Sequence, residues 1–576
     1  MKTKIRISAS NGIMLILVLV IHTGCMTNSD VYNPNVSGTR TDRLKVYTTL
    51  DKTIIPDTTP TIKVRIDDPA NFAKNGYGLW KFGPGLASQK RFDLMPDGYD
   101  NRSVTKTARL LRFFTMTDIH ITDKESPAQA IFFAPYAKTV SISCYSPLML
   151  YSTQVLDAAV QTINELNKKE TFDIGLALGD LVNSTQYNEL RWFIDIMDGK
   201  RINPDSGTKD DPIAGPGNDY QDEFTAAGLC SSIPWYAAIG NHDHFWMGSK
   251  PVNDRIRETL VSGNILQLGN VFSKTDPDIM NENTYSLGTI DGSTPYGTII
   301  GSGVVATMGT IPTIPADANR RSLSKTEWMK EFSNTTSLPV GHGFVQTNSA
   351  NLFGACYSFL PKSGLPLKII VLDDTQDDSD ISNDIYGHGS LENGRHDWLI
   401  SQLQAGQAAN QLMIIAAHIP IGVAPGTEVG WYDATVESNL IAELKTYPNL
   451  ILWVSGHRHL NNVTAFPSTD TSHPEKGFWE VETKSLREFP EQFRTFDIML
   501  NSDNSISIIT TNVDPNMKTG SLAATARSYA IASNQIYGLT GDLLPTGSVS
   551  YNAELIKQLS PEMQMIIKNC RTVTNR

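Results

Sequence analysis

The chain has 576 residues, of which 40% are hydrophobic and 19% are charged. This length exceeds one small domain, and this balance is typical of folded proteins, so a wholly disordered chain is excluded. The formal net charge of −12 argues against long nucleic acids and anionic membrane surfaces as partners, because like charges repel. A small phosphate ester bound at a local positive centre, such as a metal ion, is compatible with this charge.

Residues 1–24 have the pattern of an export signal. Lys2, Lys4 and Arg6 precede nine apolar residues, Ile13 to Ile21. Nine residues cannot cross a bilayer, because a spanning helix needs about 20. A basic start, a short apolar middle and small residues before a cleavage site predict a signal peptide that is removed from the mature protein.

The end of this signal, Thr23-Gly24-Cys25, resembles that of bacterial lipoproteins, in which the cysteine is lipidated and becomes the first mature residue. His22 stands where that pattern usually has leucine, so plain cleavage and secretion are the alternative. We expect an exported protein anchored in the cell envelope, in the periplasm or at the surface, by a lipid on Cys25. The polar residues 25–45 are predicted to be a tether, and the anchor would be the only membrane contact.

Four further cysteines lie in a compartment that permits disulfides. Two bridges in one of three connectivities, or none, are the alternatives for Cys144, Cys230, Cys356 and Cys570. The sequence has no CxxC pair. A cysteine-based zinc or redox site is therefore not indicated.

Residues 46–109 are predicted to form a small N-terminal β segment. Apolar and polar residues alternate in LKVYTTL and in Thr61 to Ile66, and this alternation is typical of strands. The stretch from residue 71 to 102 is rich in glycine and aspartate and is predicted to be a loop.

From residue 110 to 515, short apolar runs alternate with amphipathic stretches. One helix is predicted over 151–170, where Leu156, Val160 and Ile163 recur at helical spacing. FRTFDIML and SISIITTNV, separated by a polar turn, predict a hairpin. This alternation of strands and helices predicts an α/β architecture with a largely buried sheet.

Two parts of the chain stand apart from this alternation. Residues 245–366 are rich in glycine, threonine and serine and are predicted to be an insertion; Ser324 and Glu327 form a capping-box pattern that predicts a helix start within it. Residues 516–576 are predicted to be a C-terminal helical extension. Within the extension, residues 552–569 are predicted to form a terminal helix interrupted near Pro561.

Five of the apolar runs end in side chains that can bind metal ions. These side chains, with the glycines beside them, are Asp118 and His120; Gly179, Asp180 and Asn183; Gly240, Asn241, His242 and Asp243; His418; and Gly456, His457 and His459. Open α/β sheets place their sites at the carboxyl ends of strands. Carboxylates, imidazoles and an amide oxygen, without a thiolate, suit hard or borderline divalent ions.

The spacing within these motifs is consistent with metal binding. In D-x-H and H-x-H the two candidate ligands lie on the same side of an extended segment, because alternate residues share a face. Gly179 allows the sharp turn through which the Asp180 carboxylate can reach two ions. Any one of these residues alone is as often structural as functional.

In this order, D-x-H, GD-x-x-N, GNHD, an isolated strand-end histidine and GH-x-H resemble the calcineurin-like metallophosphoesterase superfamily. The resemblance covers roughly residues 110–515. SKTEWMKEF and IPWYAAIGNHDHFW are also similar to an uncharacterised bacterial subfamily of exported, lipoprotein-type members. The motifs are short, and their number and order carry the resemblance.

The resemblance implies a four-layer αββα sandwich, two mixed β-sheets flanked by helices, that holds two divalent ions of manganese, iron or zinc. It implies that Asp118, His120 and His459 bind one ion, that Asn241, His418 and His457 bind the other, and that Asp180 bridges the two. His242 would stabilise the transferring phosphoryl group or protonate the leaving oxygen, and Asp243 would orient its neighbour. His244 would be incidental. The implied reaction is hydrolysis of a phosphate monoester or diester by a hydroxide that two metal ions activate.

The sequence departs from the purple acid phosphatase branch of this superfamily. His120 stands where that branch has glycine, and Asn183 stands where it has a tyrosine ligand, so a ferric–tyrosinate centre is not expected. Asn183 is either a loop cap or a phosphate contact. Two other functions stay open: a catalytically inactive surface binding protein that retains the fold, and a nucleotidase.

Residues outside these motifs are predicted to have structural roles or to lie at the surface. The acidic run from Asp373 to Asp384 lacks the glycine and glutamate of an EF-hand loop, so a solvated loop is predicted. Isolated histidines such as His342, and Trp235 beside a core strand, are predicted to be packing or surface residues. No segment indicates a protein partner.

Overall fold

The computed structural model describes residues 46–133, 144–269, 284–344, 355–378, 386–392, 394–423, 430–538 and 551–569. The strands in these residues are β1 Lys52–Pro56, β2 Trp80–Pro84, β3 Gln89–Leu94, β4 Lys106–Met116, β5 Ile174–Leu178, β6 Arg201–Ile202, β7 Phe224–Thr225, β8 Trp235–Ala238, β9 Gln267–Leu268, β10 Tyr285–Asp291, β11 Thr298–Val304, β12 Tyr357–Phe359, β13 Leu367–Val371, β14 Leu412–Ala416, β15 Leu450–Ser455, β16 Asn462–Phe466, β17 Phe478–Glu482, β18 Phe493–Asn501, β19 Ile506–Val513 and β20 Asn552–Lys557. The α-helices are α1 Ser152–Lys169, α2 Tyr187–Asp198, α3 Asp254–Val261, α4 Lys325–Glu331, α5 Arg395–Ala408, α6 Ala434–Leu444, α7 Leu522–Tyr537 and α8 Pro561–Asn569.

The larger sheet has seven strands in the order β3-β20-β19-β18-β4-β5-β8. Strands β4, β5 and β8 run parallel to one another. Strand β18 pairs antiparallel with both β4 and β19, so the predicted hairpin is confirmed. Because β4, β5 and β8 are parallel neighbours, their carboxyl ends meet at one edge of the sheet.

The second sheet has six strands in the order β12-β13-β14-β15-β17-β16. Strands β13, β14, β15 and β17 are parallel, and the edge strands β12 and β16 are antiparallel to their neighbours. Every residue of β13, β14 and β15 is buried. Strands that are buried on both faces have continuous apolar sequences, so β13, β14 and β15 were recognisable in the sequence.

The two sheets pack face to face, with helices outside. One hydrophobic core contains Phe113 and Phe496 of the larger sheet together with Ile414 of the second sheet. A second core joins Ile415, on the other face of the second sheet, to Leu399 of α5 and to α6. Helices α1 and α2 connect the parallel strands of the larger sheet and join its core. The predicted α/β class and αββα layering are confirmed, as is the helix predicted over 151–170.

Smaller sheets lie beside these layers. Strands β1 and β2 form a two-stranded antiparallel sheet, which is the predicted N-terminal β segment, whereas β3 joins the larger sheet. Between residues 245 and 366 lie the sheet β11-β10-β9 and helices α3 and α4. Ser324 and Glu327 make both bonds of the capping box that starts α4, as predicted. Among the described residues, no helix is long and apolar enough to cross a membrane.

The N-terminal strands do not lie where the sequence predicted them. Residues 46–50 and Thr61 to Ile66 form no strand, whereas β2 and β3 lie in the stretch predicted to be a loop. Ile62 is 61% exposed, so the apolar face of this segment reaches the core only toward its end, at Val64 and Ile66. Alternation predicts a strand only where one face meets a core.

The prediction of a terminal helix from residue 552 is wrong in its first half. Residues Asn552–Lys557 form β20, which lies between β3 and β19 inside the larger sheet, and the helix begins only at Pro561. Ladder hydrogen bonds to two neighbouring strands satisfy the β20 backbone, and this tertiary pairing overrides a local pattern that also suits a helix.

The cysteine alternatives, two bridges or none, are both wrong. Cys230 is disulfide-bonded, whereas Cys144 and Cys356 are thiols. Burial raises the pKa of the Cys144 thiol to about 11 and that of Cys356 to about 12. Cys570 lies outside the described residues, as do the predicted signal peptide, Cys25 and the tether.

Candidate metal centre

All seven predicted metal ligands lie where the carboxyl ends of the two sheets meet. The larger sheet contributes the loops after β4, β5 and β8, and the second sheet contributes those after β14 and β15. Hydrogen bonds join the sheets at this point: for example, His418 Nδ1 lies 2.8 Å from the Leu178 carbonyl oxygen, and the His457 N–H donates to Asp118 Oδ2 at 2.9 Å.

The candidate ligands form groups whose ligand atoms lie within 4.8 Å of one another. These groups are Asp118 with His120 and His459; Asp180 with His418 and His457; and His120 with Asp180 and His242. In the first group, His459 Nε2 lies 3.2 Å from Asp118 Oδ1 and 3.4 Å from His120 Nε2. We call this group site A. We call the second group, with Asn241, site B, because Asn241 Oδ1 lies 3.0 Å from His418 Nε2.

Asp180 lies between the two sites. Its Oδ2 is 3.3 Å from His418 Nε2 and 3.7 Å from His120 Nε2. Its Oδ1 accepts a hydrogen bond from the His242 backbone N–H at 2.8 Å. One carboxylate oxygen therefore faces both groups, while the other fixes the carboxylate to the GNHD loop.

The donor atoms in these groups suit divalent cations. His457 Nε2 is buried and has no hydrogen-bond partner among the described residues. Such an unpartnered polar atom is rare in folded proteins, because desolvating it costs free energy. Two imidazole nitrogens and a carboxylate oxygen also converge at site A, where cations would satisfy their lone pairs.

The backbone at the ligands is unusual. Five of the seven predicted ligands have positive φ: Asp118 at 50°, His120 at 47°, Asp180 at 51°, His457 at 69° and His459 at 54°. The left-handed region is unfavourable for residues other than glycine, and such residues cluster at functional sites. No sequence pattern predicted these conformations.

The glycines before the ligands allow the loops to approach one another closely. A Cβ at Gly240 would lie 2.3 Å from both the backbone nitrogen and Oδ1 of Asp180. A Cβ at Gly456 would lie 2.5 Å from Asp118 Oδ2, and one at Gly179 would lie 2.8 Å from His418 Nδ1. Gly179 also has φ of +91°, so the predicted turn before Asp180 is confirmed.

Asp243 clamps two of the loops. Its carboxylate accepts hydrogen bonds from the backbone N–H groups of Gly240 at 2.8 Å, Asp180 at 2.9 Å, Leu181 at 2.9 Å and Val182 at 3.2 Å. Asp243 therefore holds the backbone of the GD and GNHD motifs, in addition to any effect on its neighbour His242.

His242 lies beside Asp180 and is held by a backbone carbonyl. Its Nδ1 lies 2.7 Å from the Asn183 carbonyl oxygen, so the Nδ1–H tautomer leaves Nε2 available to a substrate. A Cβ at Gly248 would lie 2.4 Å from Nε2, so glycine there keeps that nitrogen uncovered. Burial lowers the pKa of the imidazole.

Asn183 does something that neither sequence interpretation included. Its carbonyl orients His242, and its side-chain Nδ2 donates to Gln129 Oε1 at 3.2 Å. The backbone N–H of Asn183 donates to Glu189 at 3.2 Å. Because the contacts with His242 and Glu189 are made by the main chain, the residue type at position 183 gave no signal for them.

The imidazoles of the centre differ in their electrostatic surroundings. Burial opposes protonation of His418, but the charge of Asp180 overcomes it and raises the pKa to about 10. Burial likewise opposes protonation of His459, but Glu488 and Asp118 raise its pKa to about 10. Burial lowers the pKa of His457 to about 3. The carboxylates thus attract positive charge to one histidine in each site.

Two further carboxylates support the ligands, and the sequence analysis missed both. Asp374 accepts hydrogen bonds from the backbone N–H groups of His418 at 3.2 Å and Ile419 at 3.0 Å. Glu488 Oε1 lies 3.1 Å from His459 Nδ1. Asp374 ends the apolar run LKIIVLDD, so its position was a usable signal. Glu488 lies in an irregular loop and carries no such signal.

Other residues considered in the sequence lie outside the three groups. His244 is 2.9 Å from Thr375 Oγ1, and His342 stacks on Trp235 with ring centroids 3.5 Å apart, which confirms the packing role of that pair. The solvated-loop prediction is wrong at its start: Asp373 is buried, 2.6 Å from Lys325 and 3.2 Å from Arg395. These two cations compensate its charge. Residues 379–384 of that run lie outside the described residues.

No protein-family model and no curated protein matches the chain. Among solved structures, it is similar to a dimetal phosphatase from Danio rerio, with 10% identity, 71% of this chain and 98% of that chain covered, and a TM-score of 0.37. It is also similar to a protein described as a 5′-nucleotidase from Staphylococcus aureus, bound to α-ketoglutarate, with 10% identity and a TM-score of 0.29. This second likeness covers 71% of this chain and 55% of that chain. Both likenesses are distant, so the functional argument rests on the side chains themselves.

Proposed function

We propose that the protein hydrolyses a phosphate ester with the help of two divalent metal ions. The observation that carries this proposal is the position of Asp180, whose Oδ2 faces His120 of site A and His418 of site B. A carboxylate shared by two ligand groups is suited to hold two ions a few ångströms apart. The His242 imidazole lies in a group with His120 and the same carboxylate.

Two such ions, when bound, act as Lewis acids on phosphoryl oxygens and lower the pKa of water toward neutrality. The chain itself supplies positioning and one group for proton transfer. His242 Nε2 is free to contact a phosphoryl or leaving oxygen, because Nδ1 is occupied by the Asn183 carbonyl. The negative charge of a phosphate group favours the protonated imidazole, which is the form that donates.

The proposal also covers the class of ester and the identity of the metal ions. Monoester and diester substrates both fit it, and carboxylate and imidazole ligands suit manganese, iron or zinc. The ligand set favours an enzyme over an inactive binding protein, because a binding surface has no physical need for an oriented His242.

The proposal is tested with the soluble form that starts after Cys25. Hydrolysis of bis-p-nitrophenyl phosphate and of p-nitrophenyl phosphate is measured with manganese, with zinc and with a chelator. His242→Ala is expected to lower turnover by about 10²–10⁴-fold while retaining the metal content of the wild type. His473→Ala is the control, because that imidazole is 51% exposed and lies outside the three groups.

Two results would each contradict one part of this proposal, either the enzyme assignment or the role of His242. The first is a folded protein that carries two metal ions and turns over neither ester, which favours the binding-protein alternative. The second is a His242→Ala variant with wild-type turnover, which removes the assigned role of that residue. The preferred ester of an active protein defines the substrate class.

We also propose that the protein is exported and anchored by a lipid on Cys25. The support is the basic, apolar and small-residue pattern of residues 1–25. In cells fed labelled palmitate, the wild-type protein should incorporate label and fractionate with membranes. Cys25→Ala should lose both properties, and secretion of unlabelled wild type would support plain cleavage instead.

A further inference from the structure

We propose that Glu488 is a positioning residue for site A: its carboxylate holds the His459 imidazole in the tautomer and orientation that bind a metal ion. This inference rests on the metal centre assigned above, but not on which ester the protein hydrolyses. It concerns a residue that no motif in the sequence identified.

The geometry places Glu488 and the centre on opposite sides of one imidazole. Glu488 Oε1 lies 3.1 Å from His459 Nδ1. On the other side of the ring, Nε2 lies 3.2 Å from Asp118 Oδ1 and 3.4 Å from His120 Nε2. A proton on Nδ1 that is donated to Glu488 leaves the Nε2 lone pair directed at site A.

The loop that carries Glu488 is fixed to the same motif that supplies Asp118. Ser485 Oγ donates to the Asp118 carbonyl oxygen at 2.7 Å, and the Arg487 backbone N–H also lies 3.3 Å from that oxygen. The Leu486 N–H lies 3.3 Å from the Thr117 carbonyl oxygen. These bonds fix the position of the Glu488 loop relative to site A. The Glu488 side chain is 14% exposed.

The chemistry of this contact differs from that at two other imidazoles of the centre. His418 Nδ1 lies 2.8 Å from the Leu178 carbonyl oxygen, and His242 Nδ1 lies 2.7 Å from that of Asn183. Those partners are neutral, whereas Glu488 is a carboxylate. A carboxylate partner fixes the ring and raises the basicity of the ligating nitrogen, and losing such a partner typically weakens metal binding by 10–100-fold.

The consequence is specific to one ion. Glu488 contacts a ligand of site A, whereas site B is built from Asn241, His418 and His457 around the shared Asp180. Removing the Glu488 carboxylate should therefore weaken the ion at site A and leave the ion at site B close to its wild-type affinity.

The test measures metal binding directly. Isothermal titration of the metal-stripped protein with Zn²⁺ gives the affinity of each ion, and metal analysis after dialysis against graded chelator gives the stoichiometry. Glu488→Ala is expected to weaken one of the two ions by about 10–100-fold. Glu488→Gln keeps the side-chain volume and one acceptor oxygen, so it should fall between Glu488→Ala and the wild type. Glu562→Ala, at an exposed position in the first turn of α8, is the matched control.

The outcomes separate this inference from the proposed function. Equal weakening of both ions, or two unchanged affinities, overturns the positioning role of Glu488. If Glu488→Ala fails to fold by circular dichroism, the isosteric Glu488→Gln decides between the same results. A wild type that binds two ions but hydrolyses neither ester removes the proposed function and leaves the metal-binding result intact.

Discussion

At the scale of single residues, the side chains of the candidate centre can converge only because several of them have unusual backbone conformations. Each motif leaves a strand and must turn a carboxylate or imidazole back toward the sheet edge. Asp118, Asp180 and His457 do this in the left-handed region, which aspartate and histidine visit more readily than most residues. The neighbouring glycines then remove the Cβ atoms that would keep the loops apart.

Gly240→Ala tests this close approach. The new Cβ would lie 2.3 Å from the backbone nitrogen and Oδ1 of Asp180, so the bridging carboxylate must move. A displacement of about 1 Å at such a site can cost on the order of 100-fold in rate. We expect a comparable loss of turnover together with a lower metal content.

Gly309→Ala is the matched control for this substitution, because a Cβ there meets no atom within 4 Å and the residue is exposed. Both variants are compared by metal analysis and by hydrolysis of the preferred p-nitrophenyl ester. Wild-type metal content in Gly240→Ala would show that the loops can separate without disturbing Asp180.

At the scale of elements, the sequence predicted best where burial alone determines structure. The central strands of both sheets are continuous apolar runs, and α1 has a clear apolar stripe, so their type and order were recoverable. The structures of residues Thr61 to Ile66 and of β20 could not be recovered from the sequence. In the first, Ile62 is exposed and the apolar face reaches the core only toward the end of the segment, at Val64 and Ile66. The pattern of the second suits a strand or a helix until β3 and β19 lie beside it.

The candidate centre likewise contains residues that the sequence predicted and residues that it did not. Its ligands were predicted because they follow apolar strands and glycines in a recognisable order. Glu488 was not predicted, because its contact with His459 joins an irregular loop to a distant motif. The Asn183 carbonyl was not predicted either, because main-chain contacts depend on backbone direction and leave no trace in residue type.

Lys557 connects the sheets and makes their stability depend on pH. This residue of β20 is buried, and its Nζ donates to the carbonyl oxygens of Glu475 and Gly477 at 2.5 Å. Burial lowers its pKa to about 7, against the attraction of Glu475. A neutral amine has two N–H groups, which matches these two acceptors, whereas an ammonium group would bury an additional donor.

The lowered pKa of Lys557 determines the direction in which folding stability changes with pH. An unfolded lysine has a pKa of about 10.4, so between pH values of about 10 and 7 the unfolded chain binds a proton that the folded chain does not. Stability is therefore expected to fall as the pH drops through this interval and to rise with increasing pH. Each pKa unit corresponds to about 1.4 kcal/mol, so the change amounts to a few kcal/mol at most.

The comparison that isolates Lys557 uses Lys557→Met, which cannot titrate. Urea unfolding of both proteins, measured in chelator at pH values of about 7.5 and 9.5, should show the wild type gaining stability relative to the variant at the higher pH. A difference that does not change with pH would mean that Lys557 is charged in the folded protein.

At the scale of the whole molecule, the candidate centre exists only when both sheets are assembled. Asp118, Asp180 and Asn241 come from the larger sheet, whereas His418, His457 and His459 come from the second sheet. The contact between His418 and the Leu178 carbonyl, and the bond from His457 to Asp118, cross between them. Metal binding should therefore stabilise the packing of the two sheets, because ions that bind only the folded state favour that state.

The larger sheet also depends on the C-terminal part of the chain. Leu555 of β20 is fully buried and pairs with β19 on one side and β3 on the other. If this region were a peripheral helical extension, truncating Leu555 would have little effect on the core. Because β20 is an internal strand, Leu555→Ala should lower the free energy of unfolding by about 2–5 kcal/mol through lost burial and the remaining cavity. Met565→Ala, at a position 66% exposed in α8, should change it by no more than about 0.5 kcal/mol. Urea unfolding in chelator, followed by circular dichroism, distinguishes these cases, and equal effects of the two substitutions would contradict the internal position of β20.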